Sequence, residues 1–240
     1  KNETNNLKYD MIKKITKYLE EMMIKRIIFD LDNTLIIWKD EYEKAVDDAL
    51  NEINYPKTEN LYHKINEIEA EYEKGKIRFD KNELIDYINE NLKTNLPYEF
   101  MDIWLEKLHS RAPKIYPKKD YDVLKYLSKK YELVILTNFF IESQIKRLET
   151  AGIAKFFSEF YGPEKYAKPY KESFIQAIGK HKVSEVAMVG DSLEMDIKGA
   201  INSGIEKAVW RDINNKAEDY KNEMNGIYVI HELEDLRKVF

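Results

Sequence analysis

The stretch RIIFDLDNTL, from Arg26 to Leu35, sets an apolar run directly before two aspartates that are one residue apart. The run begins at Ile24, lacks a helical period and has a length that suits a strand buried on both faces. Asp30 and Asp32 bring two carboxylates together at the end of that strand. Because like charges repel and lose hydration when they are packed together, the pairing predicts a compensating cation.

Runs of the same kind recur along the chain and alternate with helical patterns. The further predicted strands are Glu132–Asn138, the weaker Glu159–Gly162, Glu185–Asp191, Glu206–Trp210 and Gly226–Ile230. Two of the helical patterns between them end at Gly152 and Gly204, as helices often do. This alternation predicts an α/β fold with a doubly wound parallel sheet, in which ligands bind at the carboxyl ends of the strands.

A long segment between the first and second strands breaks the alternation. It carries amphipathic helical patterns only, the first of them EYEKAVDDAL at Glu41–Leu50. The other apolar faces are Leu61, Ile65, Ile68 and Tyr72; Leu84, Ile85 and Ile88; and Phe100, Ile103, Trp104 and Leu108. The predicted domains are a helical extension at 1–22, a core at 23–37 and 114–240, and an all-helical insert at 38–113.

The composition excludes several classes of function. The 240 residues include no cysteine, so disulfides, thiolate zinc sites and cysteine nucleophiles are excluded. The formal net charge of −5 argues against a general nucleic-acid binder. The sequence has no apolar run of about 18 residues that predicts a membrane span, and no leader pattern that predicts secretion. We expect a cytoplasmic protein with neither nucleic acid nor membrane as a partner.

DLDNT also fits two patterns that involve no catalysis. A polar turn at a strand end uses Asp and Asn without any chemistry. A calcium loop would place oxygen atoms at its first, third, fifth and twelfth positions, which this stretch can supply from Asp30 onward. However, an EF-hand needs glycine at the sixth position and a preceding helix. Leu35 occupies the sixth position and a predicted strand precedes, so the calcium loop is excluded.

Other polar residues follow the later predicted strands. Asp191 in MVGDSLEMD is either a helix N-cap or the third acid of a hard-oxygen site, which would suit magnesium. Thr137 and Asn138 end another strand before a helical pattern, where hydroxyl and N–H groups favour an anion. Lys168 precedes Pro169, which holds it in an extended loop, although a loop lysine is usually a solvated charge.

These four stretches, in this order, resemble the motifs of the haloacid dehalogenase superfamily of aspartate-nucleophile phosphotransferases. FDLDNTL is similar to the first motif, ILTN to the second, the lysine of AKPY to the third and VGDSLEMD to the fourth. The resemblance runs from Ile24 to the end of the chain and leaves residues 1–22 outside. It implies a Rossmann-like core with a helical cap inserted between the first two motifs.

The resemblance also implies the chemistry of the first and fourth motifs. Asp30 would attack phosphorus and form an aspartyl phosphate, which splits a slow hydrolysis into two displacements. Asp32 would protonate the leaving oxygen and then take a proton from the attacking water. Magnesium would bind the carboxylates of Asp30 and Asp191 and the backbone carbonyl of Asp32, and would offset repulsion between the acids and an anionic substrate.

The remaining motif residues are implied to hold the phosphate and to support the metal. The phosphate-binding set is Thr137, Lys168 and backbone N–H groups near Asn33 and Asn138. The supporting set at the metal end is Ser192, Asp196 and Glu194, and which of these touches the metal stays open.

The presence of Asp32 selects among the chemistries of the superfamily. Dehalogenases lack this acid because halide leaves without a proton, so the resemblance implies a phosphatase acting on a small phosphorylated metabolite. A sugar-phosphate mutase keeps both acids and stays open as an alternative. From a different class, a catalytically silent protein that binds a phosphate ligand is the other alternative. The expected assembly is a monomer or a homodimer.

Two further stretches are weakly similar to pyrimidine nucleotidases of the superfamily. They are EYEKGKIRFDKNEL at Glu71–Leu84 and TNFFIESQIKRLETAGI at Thr137–Ile153. This similarity places nucleoside monophosphates first among the substrates to test. A helical lid over the strand ends predicts small substrates rather than phosphoproteins, with Tyr72–Ile77 closest to them.

Overall fold

A computed structural model describes residues 23–56, 58–223 and 226–240. Within these ranges, six strands form one sheet in the order β3-β2-β1-β4-β5-β6, and all neighbours are parallel. The strands are β1 Arg26–Phe29, β2 Glu132–Leu136, β3 Glu159–Tyr161, β4 Val186–Gly190, β5 Lys207–Arg211 and β6 Ile227–Ile230. The structure confirms the predicted doubly wound α/β fold, including its weak third strand. The helix predicted within residues 1–22 lies outside the described residues.

The sheet is covered by apolar side chains on both faces. All four residues of β1 and all five of β4 are buried. Ile27 and Phe29 belong to the apolar cluster on one face, whereas Ile28 belongs to the cluster on the other. Because successive side chains of a strand point to opposite faces, a strand covered on both faces reads as a continuous apolar run.

The first four helices of the described residues follow β1, as their periodic patterns predict. They are α1 Glu41–Glu52, α2 Leu61–Glu73, α3 Lys81–Leu92 and α4 Glu99–Ser110. Their buried side chains form one apolar cluster that includes the fully buried Trp104, and Phe139 and Phe140 from the segment after β2 join it. The helical insert therefore packs on the carboxyl end of β2. The domain boundaries at 38 and 113 stay a prediction.

Helix α5 Lys118–Leu127 leads into β2, and the helices after β2 are α6 Ile141–Thr150, α7 Lys171–Ile178, α8 Gly199–Asn202 and α9 Leu236–Val239. The helical pattern after β4 differs from the predicted regular helix, because Leu193–Lys198 forms a π-helix before α8. Among the described residues, no helix is both long and apolar enough to cross a bilayer.

Arg26 is a charged side chain buried at the amino end of β1. Its guanidinium lies 2.9 Å from a carboxylate oxygen of Glu132 and 2.9 Å from one of Glu159, and it donates to the carbonyl of Ala177. Burial opposes ionisation of Glu132, but hydrogen bonds from Arg26 and His181 outweigh it and lower the pKa of Glu132 to about 2. This ion pair joins β1, β2 and β3.

We expect Glu132→Gln to destabilise the protein at pH 7 by about 1–3 kcal/mol, because a buried guanidinium loses a charged partner. The folded-state pKa of Glu132 lies below its ordinary value of 4.5. Its contribution to stability is therefore present above that value and is lost as the pH falls towards 2. Thermal unfolding at pH 7 and pH 3 measures both effects, with the exposed Glu206→Gln as control. Equal melting temperatures for Glu132→Gln and the control at pH 7 would contradict this account.

Candidate active site

The carboxyl ends of β1 and β4 bring the acids of the first and fourth motifs together. Asp30 follows β1, and its N–H donates to the carbonyl of Val189 in β4 over 2.9 Å. Asp191 follows β4 directly. Carboxylate oxygens of Asp30, Asp191 and Asp196 all lie within 4.8 Å of one another, and Asp30 and Asp196 are buried. The parallel register thus makes neighbours of residues that lie far apart in sequence.

Lys168 lies between two of these acids. Its Nζ is 2.6 Å from Asp30 Oδ1 and 2.6 Å from Asp196 Oδ1. Burial lowers the pKa of Lys168, but the charges of Asp196 and Asp30 outweigh burial and raise it, so the ammonium keeps its proton. The side chain of Asn138 holds the backbone of Lys168, donating to its carbonyl over 2.9 Å and accepting from its N–H over 2.7 Å. Asn138 thus positions Lys168, a role that the sequence analysis missed.

The donor set of this cluster fits a divalent cation. Three carboxylates meet one ammonium, so the protein's own charges leave the acids incompletely compensated. Burial, together with the charges of Asp30 and Asp196, raises the pKa of Asp191 above its ordinary value. The indole N–H of Trp210 donates to the carbonyl of Asp191 over 2.7 Å and fixes the backbone there. Hard oxygen ligands on a fixed backbone are what magnesium prefers.

The structure places Asp196 at this cluster and Glu194 away from it. Asp196 Oδ2 accepts the N–H of Ser192 over 3.0 Å, while its Oδ1 accepts from Lys168. Glu194 is exposed and pairs with Lys198 on the surface. Of the three residues expected to support the metal end, Asp196 therefore joins the acids and Ser192 orients Asp196.

An irregular turn directs Asp196 inward. Within the π-helix, the N–H of Ile197 donates to the carbonyl of Ser192 over 3.2 Å, five residues back, which widens the turn. The Asp196 side chain then packs against Gly190, where a Cβ atom would lie 2.3 Å from Asp196 Cγ. Glycine is required at 190 because any side chain there would displace this carboxylate.

Thr137 and Asn33 lie at the same edge of the sheet. Thr137 is buried after β2, its N–H donates to the carbonyl of Tyr161, and its Oγ1 accepts from Gln144 Nε2 over 2.9 Å. Since Oγ1 accepts that bond, its own proton is available to a ligand. The N–H of Asn33 donates to the carbonyl of Ile36 over 2.7 Å. A phosphate contact near Asn33 stays a prediction.

The carboxylate of Asp32 is surrounded by hydrogen-bond donors. Gln144 Nε2 donates to Oδ2 over 2.8 Å and the Tyr42 hydroxyl donates to it over 3.1 Å. The guanidinium of Arg147 donates to both oxygens, and the indole of Trp38 donates to Oδ1. Burial raises the pKa of Asp32, and the charge of Arg147 opposes that rise.

The sequence alone does not identify these four partners of Asp32. A signal for two of them exists on α6, whose buried face includes Gln144 and Arg147 beside Leu148. Phe140 and Ala151, on either side, are buried as well. Two large polar residues, three positions apart in a stripe otherwise suited to apolar side chains, indicate buried partners.

A cavity of about 470 Å³ opens above the clustered acids. The helical insert and its entry segment contribute Trp38, Lys39, Asp40, Tyr42, Glu43, Asn66, Glu69 and Glu73 to its walls. Within the predicted contact region Tyr72–Ile77, Glu73 faces this cavity, whereas Tyr72 is buried in the insert's own core. The cavity is therefore bounded by the clustered acids on one side and by α1 and α2 on the other.

Comparison with known proteins identifies the family. The model of the haloacid dehalogenase-like hydrolases matches residues 24–204, a span that holds all four motifs. This chain belongs to that family. The match begins where the resemblance seen in the sequence begins, at Ile24, and ends at Gly204, before the last two strands.

Individual relatives agree with this placement. The chain is 27% identical to the HAD-hydrolase YfnB of Bacillus subtilis over 224 residues, 88% of this chain and 93% of YfnB. A crystal structure of YfnB bound to magnesium matches with a TM-score of 0.70 at 22% identity, covering 90% of this chain and 98% of that one. The phosphoglycolate phosphatase of Vibrio parahaemolyticus is 27% identical over 186 residues, 75% of this chain and 81% of its own.

A third relative bears on the nucleotidase similarity. The pyrimidine 5'-nucleotidase YjjG of Escherichia coli is 41% identical over 76 residues, 30% of this chain and 34% of its own. The weak similarity noted in the sequence thus has a counterpart in a short part of the chain. Together with the family match, the phosphatase relatives confirm the prediction of an enzyme of the phosphatase type.

Proposed function

We propose that this hydrolase is a magnesium-dependent phosphatase that cleaves small phosphate monoesters through an aspartyl phosphate on Asp30. The observation that carries the proposal is the position of Lys168, whose ammonium lies between Asp30 and Asp196 beside Asp191. A nucleophilic carboxylate needs a nearby cation to approach an anionic phosphoryl group, and this arrangement supplies one.

In the first half-reaction, a carboxylate oxygen of Asp30 forms a bond to phosphorus while the bond to the leaving oxygen breaks. Asp32 gives its proton to that leaving oxygen. In the second, water attacks the aspartyl phosphate, Asp32 takes a proton from it, and the Asp30 carboxylate is restored. The phosphoryl oxygens would accept from the Thr137 hydroxyl, Lys168 and backbone N–H groups near Asn33 and Asn138.

Magnesium would be held by Asp30, Asp191 and the backbone carbonyl of Asp32. Asp196 would support the metal end of the site by holding Lys168. When bound, the ion supplies positive charge that offsets repulsion between the acids and the substrate. The buried, mutually close carboxylates support this assignment, because their charges are only partly balanced by Lys168.

The helical insert is proposed to act as a cap over the cavity. Its helices α1 and α2 face the clustered acids and would exclude water from the leaving group. A cavity of about 470 Å³ has the size expected for a small ligand, which supports small monoesters over phosphoproteins.

The wall formed by α1 and α2 suggests the charge of the leaving group. Glu69 and Glu73 lie one turn apart on α2 and interact with each other, and burial raises the pKa of both. Glu43 adds a further carboxylate, and among the described residues lining the cavity the cations are Lys39 and the paired Lys168. We propose a leaving group that is neutral or cationic, because a second anion would be repelled by this wall.

Phosphate release by the purified protein with magnesium tests this proposal. The panel is an aryl phosphate, nucleoside monophosphates, a hexose phosphate, glycerol phosphate, phosphoethanolamine, phosphoglycolate and a phosphopeptide. We expect nucleoside monophosphates to have the highest kcat/KM. The kcat/KM of phosphoglycolate should be at least about tenfold below that of glycerol phosphate. The reason is that two like charges about 7 Å apart, at an effective dielectric constant of about 20, repel by more than the free energy of a tenfold change. The double variant Glu69→Gln with Glu73→Gln removes the charge of this pair and should make the difference between the two substrates smaller, with the exposed Glu67→Gln as control.

Each contrary outcome removes a defined part of the proposal. A clear preference for the phosphopeptide would overturn the role of the insert as a cap, and a preference for phosphoglycolate would overturn the charge argument. A preference for the hexose phosphate would remove the nucleotide assignment alone. Conversion of a sugar phosphate to its isomer without phosphate release would instead favour the mutase alternative.

A further inference from the structure

The most unusual charged group near the site is Arg147 on α6. Its side chain is 0% exposed, and its guanidinium stacks 3.7 Å from the ring centroid of Trp38. Burying a guanidinium is costly unless a charged partner compensates, and the carboxylate of Asp32, 115 residues away in sequence, is that partner. A core helix therefore places a permanent positive charge against the residue assigned as general acid and base.

Gln144, one turn earlier on α6, extends this arrangement to the phosphate-binding group. Its Nε2 donates to Asp32 Oδ2 over 2.8 Å and to Thr137 Oγ1 over 2.9 Å. Its Oε1 accepts from Arg147, which fixes the orientation of the amide. Gln144 thus sets the distance between the Asp32 carboxylate and the hydroxyl proposed to bind the phosphoryl group.

The remaining donors to Asp32 come from the helical insert and its entry segment. The Trp38 indole donates to Oδ1 and the Tyr42 hydroxyl to Oδ2, so five N–H or O–H groups surround one carboxylate. A carboxylate has about four lone-pair sites, so this set holds Asp32 in one rotamer. By contrast, Asp30 is held by Lys168 and its own backbone, and within the described part of the chain α6 makes no hydrogen bond to its carboxylate.

We infer that Arg147 and Gln144 are positioning residues that hold the Asp32 carboxyl group beside the phosphoryl site, an inference that rests on the proposed phosphatase function. They serve the transfer of a proton from Asp32 to the leaving oxygen as its bond to phosphorus breaks. They do not serve the attack of Asp30 on phosphorus. Substitution of either residue should therefore lower kcat most for substrates whose leaving oxygen needs a proton.

The test compares an alkyl phosphate, whose leaving oxygen needs protonation, with p-nitrophenyl phosphate, whose leaving group departs readily without it. We expect Arg147→Met to lower kcat at least about a hundredfold on glycerol phosphate, within the usual contribution of general acid catalysis. On the aryl phosphate the loss should stay below about fivefold. Arg147→Lys should recover part of the alkyl activity, because it returns the positive charge. Lys146→Met, on the exposed side of the same helix, is the matched control.

Three further variants separate positioning from folding. Gln144→Met should show the same preferential loss on the alkyl phosphate, in addition to any loss common to both substrates through Thr137. It removes no buried charge, so it keeps the inference testable if Arg147→Met does not fold. Asp32→Asn should reproduce the selectivity, and the double variant Asp32→Asn with Arg147→Met should lose no more than the single ones, because both changes remove one function. Additive losses would contradict this.

The outcomes distinguish the inference from the function on which it rests. If the unsubstituted protein with magnesium hydrolyses neither substrate, the proposed phosphatase function fails. If it hydrolyses both and the variants at 144 and 147 lose activity equally on both, the residues are structural and the inference fails. If folded variants keep full alkyl activity, Asp32 needs neither residue and the inference also fails.

Discussion

Replacing Asp30 by asparagine should remove turnover of every phosphate ester while the protein remains folded. The amide is nearly the same size as the carboxylate, and the bond from the Asp30 N–H to Val189 is a backbone bond that the substitution keeps. An amide nitrogen is not a nucleophile towards phosphorus, so we expect a loss of at least about 10⁴-fold in kcat. The exposed Asp122→Asn is the matched control and should retain activity.

Trapping the phosphoryl group makes this prediction specific to Asp30. Acid quenching during turnover of a labelled ester should leave label on the peptide that contains Asp30, and none on that peptide in Asp30→Asn. Because the variant removes a negative charge beside Lys168, circular dichroism and a melting curve should accompany it. Substantial hydrolysis by pure variant protein, or label on another residue, would show that Asp30 is not the nucleophile.

Removal of metal should have the second largest effect. Chelation should abolish activity and magnesium should restore it, whereas calcium should be a poor substitute because it prefers larger and looser coordination. Asp191→Asn should lower activity at least about a hundredfold at low magnesium and raise the magnesium concentration needed for half-maximal rate. Full activity in excess chelator would contradict the metal site.

A binding measurement without catalysis separates the metal site from the reaction. Magnesium should raise the melting temperature of the unsubstituted protein, as any ligand of the folded state does, and should raise it much less in Asp191→Asn. Without metal, Asp191→Asn should melt higher than the unsubstituted protein, because it relieves repulsion from Asp30 and Asp196. Glu194→Gln is the control from the same motif, and its magnesium response should be unchanged. A lower melting temperature for metal-free Asp191→Asn would contradict the charge argument.

The amino-acid sequence by itself determined the order of the elements and the edge of the sheet at which the motifs meet. Continuous apolar runs alternating with helical periods predict a parallel sheet, and carboxyl ends of parallel strands share one edge. Asp30, Thr137 and Asp191 could therefore be grouped from their places after β1, β2 and β4. The helical insert was equally predictable, because its four periodic stripes contain no competing strand pattern.

Tertiary structure alone decided which polar side chains face the site. The periodicity of α6 predicts that Gln144 and Arg147 lie on its buried face, but it does not identify their partners. The partner of Arg147 lies 115 residues earlier in the chain. A charge can be buried only where long-range packing brings a compensating charge near it, and the local sequence pattern does not show which residue supplies that charge. The same reason explains why the sequence did not show that Asp196 joins the clustered acids while Glu194 lies on the surface. These two acids are two residues apart, and the sequence does not show which of them faces the site. The π-helix and the absence of a side chain at Gly190 allow Asp196 to point inward, where it pairs with Lys168.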